Sequence, residues 1–293
     1  MLVQIVQKIL KLIFRSVSWV KDNRLVCSGN KTKLLVIGTK ELRQTKLESF
    51  NRTISVNVDG HIVKESSSEK LLGMVINNTL TWSNHLHGDN TNKGLLSKLS
   101  QRAGLIRRLS QFMPQEKLKV ISNGIFFSLL NYGLPIYGSV SGLFRYAEGQ
   151  DQFQALSKDD SHQIQVVMNV VLRAITNLPL ETPVNVLVQQ SGFLSFHQIC
   201  AFSTLKLIHK VINNKKPTFI IDHFLEHRRR IDRPRRENFI PTICKLSISR
   251  EGFMSQASKL FFRLPEDIQS LQCSTLFKKH ARSWVEANIP IYM

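Results

Sequence analysis

Residues 93–131 read KGLLSKLSQRAGLIRRLSQFMPQEKLKVISNGIFFSLLN, and the architecture turns on how they are periodic. Leu95, Leu99, Ile106 and Met113 follow one another at intervals of four, seven and seven, the repeat of one apolar face of an α-helix. Pro114 suits the first turn of a second helix, where its missing N–H is harmless. That helix should run to about Asn131, ended by Tyr132-Gly133 and Pro135. The two should form an antiparallel helical hairpin, with Leu99 and Ile106 facing Leu118, Ile121 and Ile125. A helix turns by about 100° per residue, so Arg107 and Arg108 point away from the apolar stripe together with Gln101 and Gln111. Lys98 and Arg102 fall nearer to it and are expected to lay their stems along it.

Upstream, the period shortens. Residues 2–20 still read as an amphipathic helix, with Gln4, Gln7, Lys8, Lys11, Arg15 and Ser18 on one side and Leu2, Ile5, Ile9, Leu12 and Ile13 on the other. Leu34–Ile37 is then a short β-prone run. Ile54, Val56 and Val58 alternate with polar residues up to Asp59-Gly60, a strong hairpin-turn dipeptide, and Ile62-Val63 resumes the strand. Leu71–Ile76 reads as a further strand, with Gly73 as a place of close approach. Residues 1–85 are thus helix, strand, hairpin, strand. Downstream, 141–161 reads as a linker. Asp160 or Ser161 serves as the N-cap of a helix over 162–177, and further helices cover 195–213 and 274–288.

Charge narrows the function. The 293 residues are 42% hydrophobic, enough for real cores, yet 40 Lys+Arg face 21 Asp+Glu, a formal charge of +19 with pI near 10.1. That balance points to a polyanionic partner, nucleic acid before an acidic membrane surface, with plain basic solubility as the bland rival. The densest run is Arg228, Arg229, Arg230, Arg233, Arg235 and Arg236 with one acid, Asp232; phosphate binding there competes with nuclear localisation and with a merely solvated loop. Cys27, Cys200, Cys244 and Cys273 are far apart and read as free thiols of a reducing compartment. Lys8, Lys11 and Arg15 break up the N-terminal apolar run, which fits neither a membrane span nor a secretory signal. With no acid before Asp22 a mitochondrial transit peptide stays open, but a core-docked helix explains the pattern without it. The chain is therefore expected to be intracellular, nuclear or cytoplasmic, and not secreted.

Two segments carry a resemblance. Residues 25–32, LVCSGNKT, before the apolar run 34–37, and residues 72–85, LGMVINNTLTWSNH, resemble the palm of non-LTR, jockey-like retrotransposon reverse transcriptases, the second being similar to that family's Leu-Gly hairpin with its trailing Trp82 and His85. Lys98–Tyr132 resembles the thumb helices. Thr182-Pro183-Val184, Phe196-His197-Gln198 and Phe253, Ala257, Leu264-Pro265-Glu266 and Phe277-Lys278-Lys279 resemble the family's segments beyond the thumb, in the same order. Ser28 stands where many members have Asn, and Tyr137 where many have Trp. The resemblance implies a predominantly helical α+β fold: the rear of a palm with a small sheet and a helix over 1–92, thumb-like helices over 93–140, a linker over 141–161, and a helical C-terminal domain over 162–293 with the basic loop 228–236.

It also implies a parent activity, RNA-directed DNA polymerisation with Mg²⁺, and partners, RNA and DNA held through phosphates. Lys31 would lie near the departing pyrophosphate and Gly73 beside the primer terminus. With Arg107, Arg108 and the six arginines of 228–236 they make the candidate nucleic-acid-binding set. The family's Asp-Asp motif precedes a helix like 2–20, and here the chain begins with that helix. Nucleotidyl transfer needs carboxylates converging on two metal ions, and the only Asp-Asp pair, Asp159-Asp160, sits in the polar linker. This chain alone is expected to have no catalytic residues, bind no metal or other cofactor, and extend no primer; a longer product that includes the motif would be a working polymerase. A basic helical protein-interaction module is the third class. His85, His87 and Asp89 have a spacing that suits a metal but lack a completing ligand, and Lys31 without the carboxylates reads better as an exposed turn lysine. Ser139 and Ser191 lack a nucleophile elbow, and no glycine-rich phosphate loop occurs, so no small-molecule substrate is expected, nor a membrane.

Overall fold

Asp59 and Gly60 take left-handed backbone angles, φ 51° and 87°, and fold β1 (Ser55–Val58) back on β2 (His61–Lys64) as an antiparallel hairpin. Such primed turns match the twist of the strands they join. Val56 pairs with Val63 and Val58 with His61, and the Asn57 carboxamide accepts a hydrogen bond from Gly60 N–H at 2.9 Å. The computed structural model describes residues 15, 17–26, 28–38, 54–89, 92–138, 156–218, 220–221, 257 and 260–291. Packing divides the chain into two units, Met1–His85 and Leu86–Met293. Among the described residues two two-stranded antiparallel sheets accompany a mostly helical chain.

In the first unit the helix predicted over 2–20 lies mostly outside the described residues; its visible end is helical over 17–22. Lys21 Nζ meets Asp59 Oδ1 at 2.6 Å, tying that end to the first hairpin turn. Gly29 opens a 3-10 turn, Gly29–Lys31, against the His61 ring, and a Cβ there would lie 2.4 Å from His61 Cγ. Leu34–Ile37 forms no strand. Leu34 makes one parallel bridge to Glu65 and accepts from Ser66 N–H at 2.9 Å, and Gly38 N–H donates to Asn78 O at 3.0 Å. The β-prone composition reports a half-buried path between two hairpins, because such propensity measures fit to a partly buried surface rather than ladder formation.

The single strand expected over 71–76 is a second hairpin, β3 (Ser68–Leu71) and β4 (Met74–Asn77), turning at Leu72-Gly73 with φ 49° and 87°. Leucine in a left-handed position gives no turn signal, which is why the run reads as continuous. β4 carries the burial through Met74, Val75 and Asn77. Asn77 organises the exit: Thr81 N–H donates to its Oδ1 at 2.8 Å, and its Nδ2 donates to Thr81 Oγ1 at 2.6 Å.

The second unit starts with the end of α1 (Ser83–His87) and continues through α2 (Leu95–Leu109) and α3 (Gln115–Ser122). A wide, π-type turn, Asn123–Phe127, joins α3 to α4 (Ser128–Asn131), and α5 (Leu134–Tyr137) follows. The buried face of the α3–α4 stretch is Leu118, as expected, with Ser122, Phe126 and Leu130; Ile121 and Ile125 are only half-buried, so beyond Leu118 the buried positions fall one residue later than periodicity expects. A strict four-residue spacing drifts about 40° per step around a 3.6-residue helix; the wider turn takes up the drift and buries Phe127 as well. Tyr137, fully buried, donates from its hydroxyl to Leu130 O at 2.6 Å and so caps the end of α4.

α6 (Lys158–Thr176) begins four residues before the expected position. Ser157 is its N-cap, with Oγ accepting from Asp160 N–H at 3.0 Å, and Asp159 and Asp160 stand in the first turn, where the helix dipole favours carboxylates. α2 packs along α6. The eight residues of α7 (Val184–Ser191) form a helix that alternation-prone VNVLV conceals. α8 (Phe196–Asn214) starts with a capping box between Ser195 and Gln198. It shares a core with Ala257, Leu260, Phe261, Leu264, α9 (Glu266–Gln269) and α10 (Ser274–Asn288).

Candidate nucleic-acid interface

α2 presents two faces. Leu95, Leu99, Ala103 and Ile106 are buried, and Arg107 and Arg108, in the last turn, are exposed on the other side, as helical rotation requires. Neither guanidinium makes an ion pair among the described residues. Ser110 Oγ donates to Arg107 O at 2.8 Å and satisfies one of the terminal carbonyls. Arg102 is directed inward, where its guanidinium donates to Ile125 O of the wide turn, and Ser128 Oγ donates to Gly124 O. Arg102 is therefore committed to the fold, and Arg107 and Arg108 are available to a ligand.

Lys31 closes the 3-10 turn with its side chain exposed. Gly73 is exposed at the tip of the second hairpin, beside Leu71 and Leu72, which are 59% and 82% exposed. Both belong to the unit Met1–His85, whereas Arg107 and Arg108 belong to Leu86–Met293. Arg228, Arg229, Arg230, Arg233, Arg235 and Arg236 lie outside the described residues.

The carboxylate and histidine candidates separate. His85 is buried, with Nδ1 accepting from Val75 N–H at 3.3 Å. His87 Nε2 lies 2.7 Å from Asp160 Oδ1, linking α1 to the first turn of α6. Asp89 Oδ1 accepts from Asn92 N–H at 2.8 Å in a local turn. No three His, Cys, Asp or Glu side chains are grouped to hold a metal ion among the described residues. Mg²⁺, the ion that the resemblance implies for a parent polymerase, has no fitting donor set at Asp159-Asp160: Asp159 is exposed at a helix start and Asp160 is engaged by His87. Cys200 is buried, which pushes its thiol well up, while Cys273 is exposed. No helix among the described residues is long and apolar enough to cross a membrane.

One basic group escaped the sequence reading. Lys206, half-buried on α8, stands with Nζ 4.6 Å above the centroid of the Phe202 ring. Burial, and then the charge of Lys278 on α10, lower its pKa below the ordinary lysine value. Phe202, Lys206 and Lys210 at i, i+4 and i+8 in a helix without Asp or Glu were the available signal. Its pairing with a lysine seventy-two positions later was not readable.

Compared with models of known protein families, with curated proteins and with solved structures, the chain has no match.

Proposed function

We propose that this chain binds RNA and DNA through their phosphates and is the palm-rear and thumb-like part of a retrotransposon-type reverse transcriptase, acting without polymerase chemistry of its own. The observation that carries the reading is the Arg107–Arg108 pair: two exposed guanidiniums, without a carboxylate partner among the described residues, on the outer face of a helix whose other face is fully buried. The family part of the reading is supported by the two quoted segments and their order along the chain. The nucleic-acid part is supported by the charge of +19. Guanidiniums so placed track a backbone and read no base edges, so sequence preference should be weak.

The test is a salt titration of binding to a short RNA–DNA hybrid and to an unrelated duplex of equal length. Each phosphate contact contributes about −0.7 to −0.9 to the slope of log K against log salt; roughly 4–6 contacts give a slope near −3 to −5. Arg107→Gln with Arg108→Gln should flatten it by about 1–2, and replacing the six arginines of 228–236 with Gln by about 2 or more. The same preparation with Mg²⁺, dNTPs and primer–template should extend nothing above background. A chain that does not bind at low salt, or whose slope ignores all eight arginines, would sink the nucleic-acid reading. Extension that survives stringent purification would sink the non-catalytic one.

A further inference from the structure

α8 and α10 are antiparallel partners. Gln198 Nε2, at the start of α8, donates to Ile289 O just beyond α10 at 3.0 Å, and His209, near the end of α8, stacks on Phe277 near the start of α10 at 3.9 Å. The pair is lopsided in charge. α8 carries Lys206 and Lys210 with no acid. α10 carries Lys278, Lys279 and Arg282 with one acid, Glu286, whose Oε1 accepts from Arg282 Nε at 2.9 Å. Neither Lys206 nor Lys278 makes an ion pair among the described residues.

A surface lysine ordinarily escapes a like charge by swinging into water. Lys206 does not: it is half-buried, and its ammonium is held over the Phe202 ring. Its pKa is lowered by burial first and by Lys278 second, so the fold keeps a partly desolvated cation under the influence of another cation, with no carboxylate ion-paired to either among the described residues. A bound anion would relieve both effects at once. We propose that the Lys206–Lys278 face of α8 and α10 is a further contact for a nucleic-acid phosphate backbone, apart from the Arg107–Arg108 end of α2. It rests on the nucleic-acid reading above.

Lysine-directed acetylation of the full chain, read by mass spectrometry with and without the RNA–DNA hybrid at low salt, tests this without altering the protein. Bound hybrid should protect Lys278 and Lys206. In parallel, Lys206→Gln with Lys278→Gln should flatten the salt slope by about 1.5 units, the size of two phosphate contacts. That change should add to the one from Arg107→Gln with Arg108→Gln, and Lys206→Arg with Lys278→Arg should keep the original slope. Wild-type chain that binds the hybrid while both lysines stay reactive overturns this site and leaves the arginine site standing, as does a folded double Gln variant with unchanged affinity and slope. Wild-type chain that does not bind the hybrid at all overturns the nucleic-acid reading and this site together.

Discussion

Arg107 and Arg108 close α2, whereas Lys278 and Lys279 lie one turn inside the start of α10, opposite the half-buried Lys206. The last turn of a helix exposes carbonyl dipoles, and a cation there gains about 0.3–1 kcal/mol at low salt. The first turn of α10 contains no acid, so its lysines sit toward the positive end of that helix and near another ammonium. The arginines favour the fold whether or not a ligand arrives. Lys278 instead disfavours the charged form of Lys206. A count of charges treats the two groups alike; the helix end that each occupies separates them.

The largest effects expected lie beneath these faces. Phe277 is fully buried in the core shared by α8 and α10 and carries the stack on His209, so Phe277→Ala should cost about 3–5 kcal/mol. Leu99, on the buried face of α2, should cost about 2–5 kcal/mol as Leu99→Ala. Urea unfolding measures both. A loss under about 1 kcal/mol at either site would mean that its charged face does not rest on the core described.

A second contrast concerns acid. α2 contains no histidine, but His197, near the start of α8, is mostly buried beside Phe196, and its Nδ1 has no hydrogen-bond partner among the described residues. Burial holds its pKa below the ordinary 6.5, against a backbone contact at Ile291 that acts the other way. Below 6.5 the unfolded chain binds a proton that the folded chain refuses, so the stability present above that value is lost as pH falls through it toward the folded-state pKa. Urea midpoints at pH 7.5 and 5.5 should therefore fall further for wild type than for His197→Gln. Equal losses would remove His197 as the acid-sensitive group of α8.

How much of this was legible depends on where the information lies. Asp59-Gly60 announces its hairpin because the turn itself demands those residues. The end of α4 was read from Tyr132-Gly133 and Pro135, and the outward direction of Arg107 and Arg108 from periodicity. The Leu72-Gly73 turn was hidden because leucine seldom takes positive φ. The start of α6 was misplaced because Ser157, Asp160 and Ser161 are all capping types, and only the geometry chooses Ser157. The wide turn at Asn123–Phe127 has no sequence sign beyond a buried spacing of four, and past Leu118 the buried residues of the α3–α4 stretch fall one place later than periodicity expects. The helices that carry Lys206 and Lys278 come together through tertiary packing, which no local pattern encodes.

The smallest effect bears most directly on the comparison. Arg107→Gln removes a cation from the favourable end of α2 and should lower stability by about 0.3–0.5 kcal/mol at low salt. Lys278→Gln removes one from the unfavourable end of α10 and relieves Lys206, while leaving the contact between Lys206 and Phe202 in place. It should leave stability unchanged or raise it by a few tenths of a kcal/mol. Both side chains are exposed, so screening should erase both effects near 1 M salt, where the Debye length is about 3 Å. Urea curves for the two variants at low and high salt give the signs. If Lys278→Gln destabilises as Arg107→Gln does, then Lys278 is no burden on the fold, and the reason for expecting an anion at Lys206 is gone.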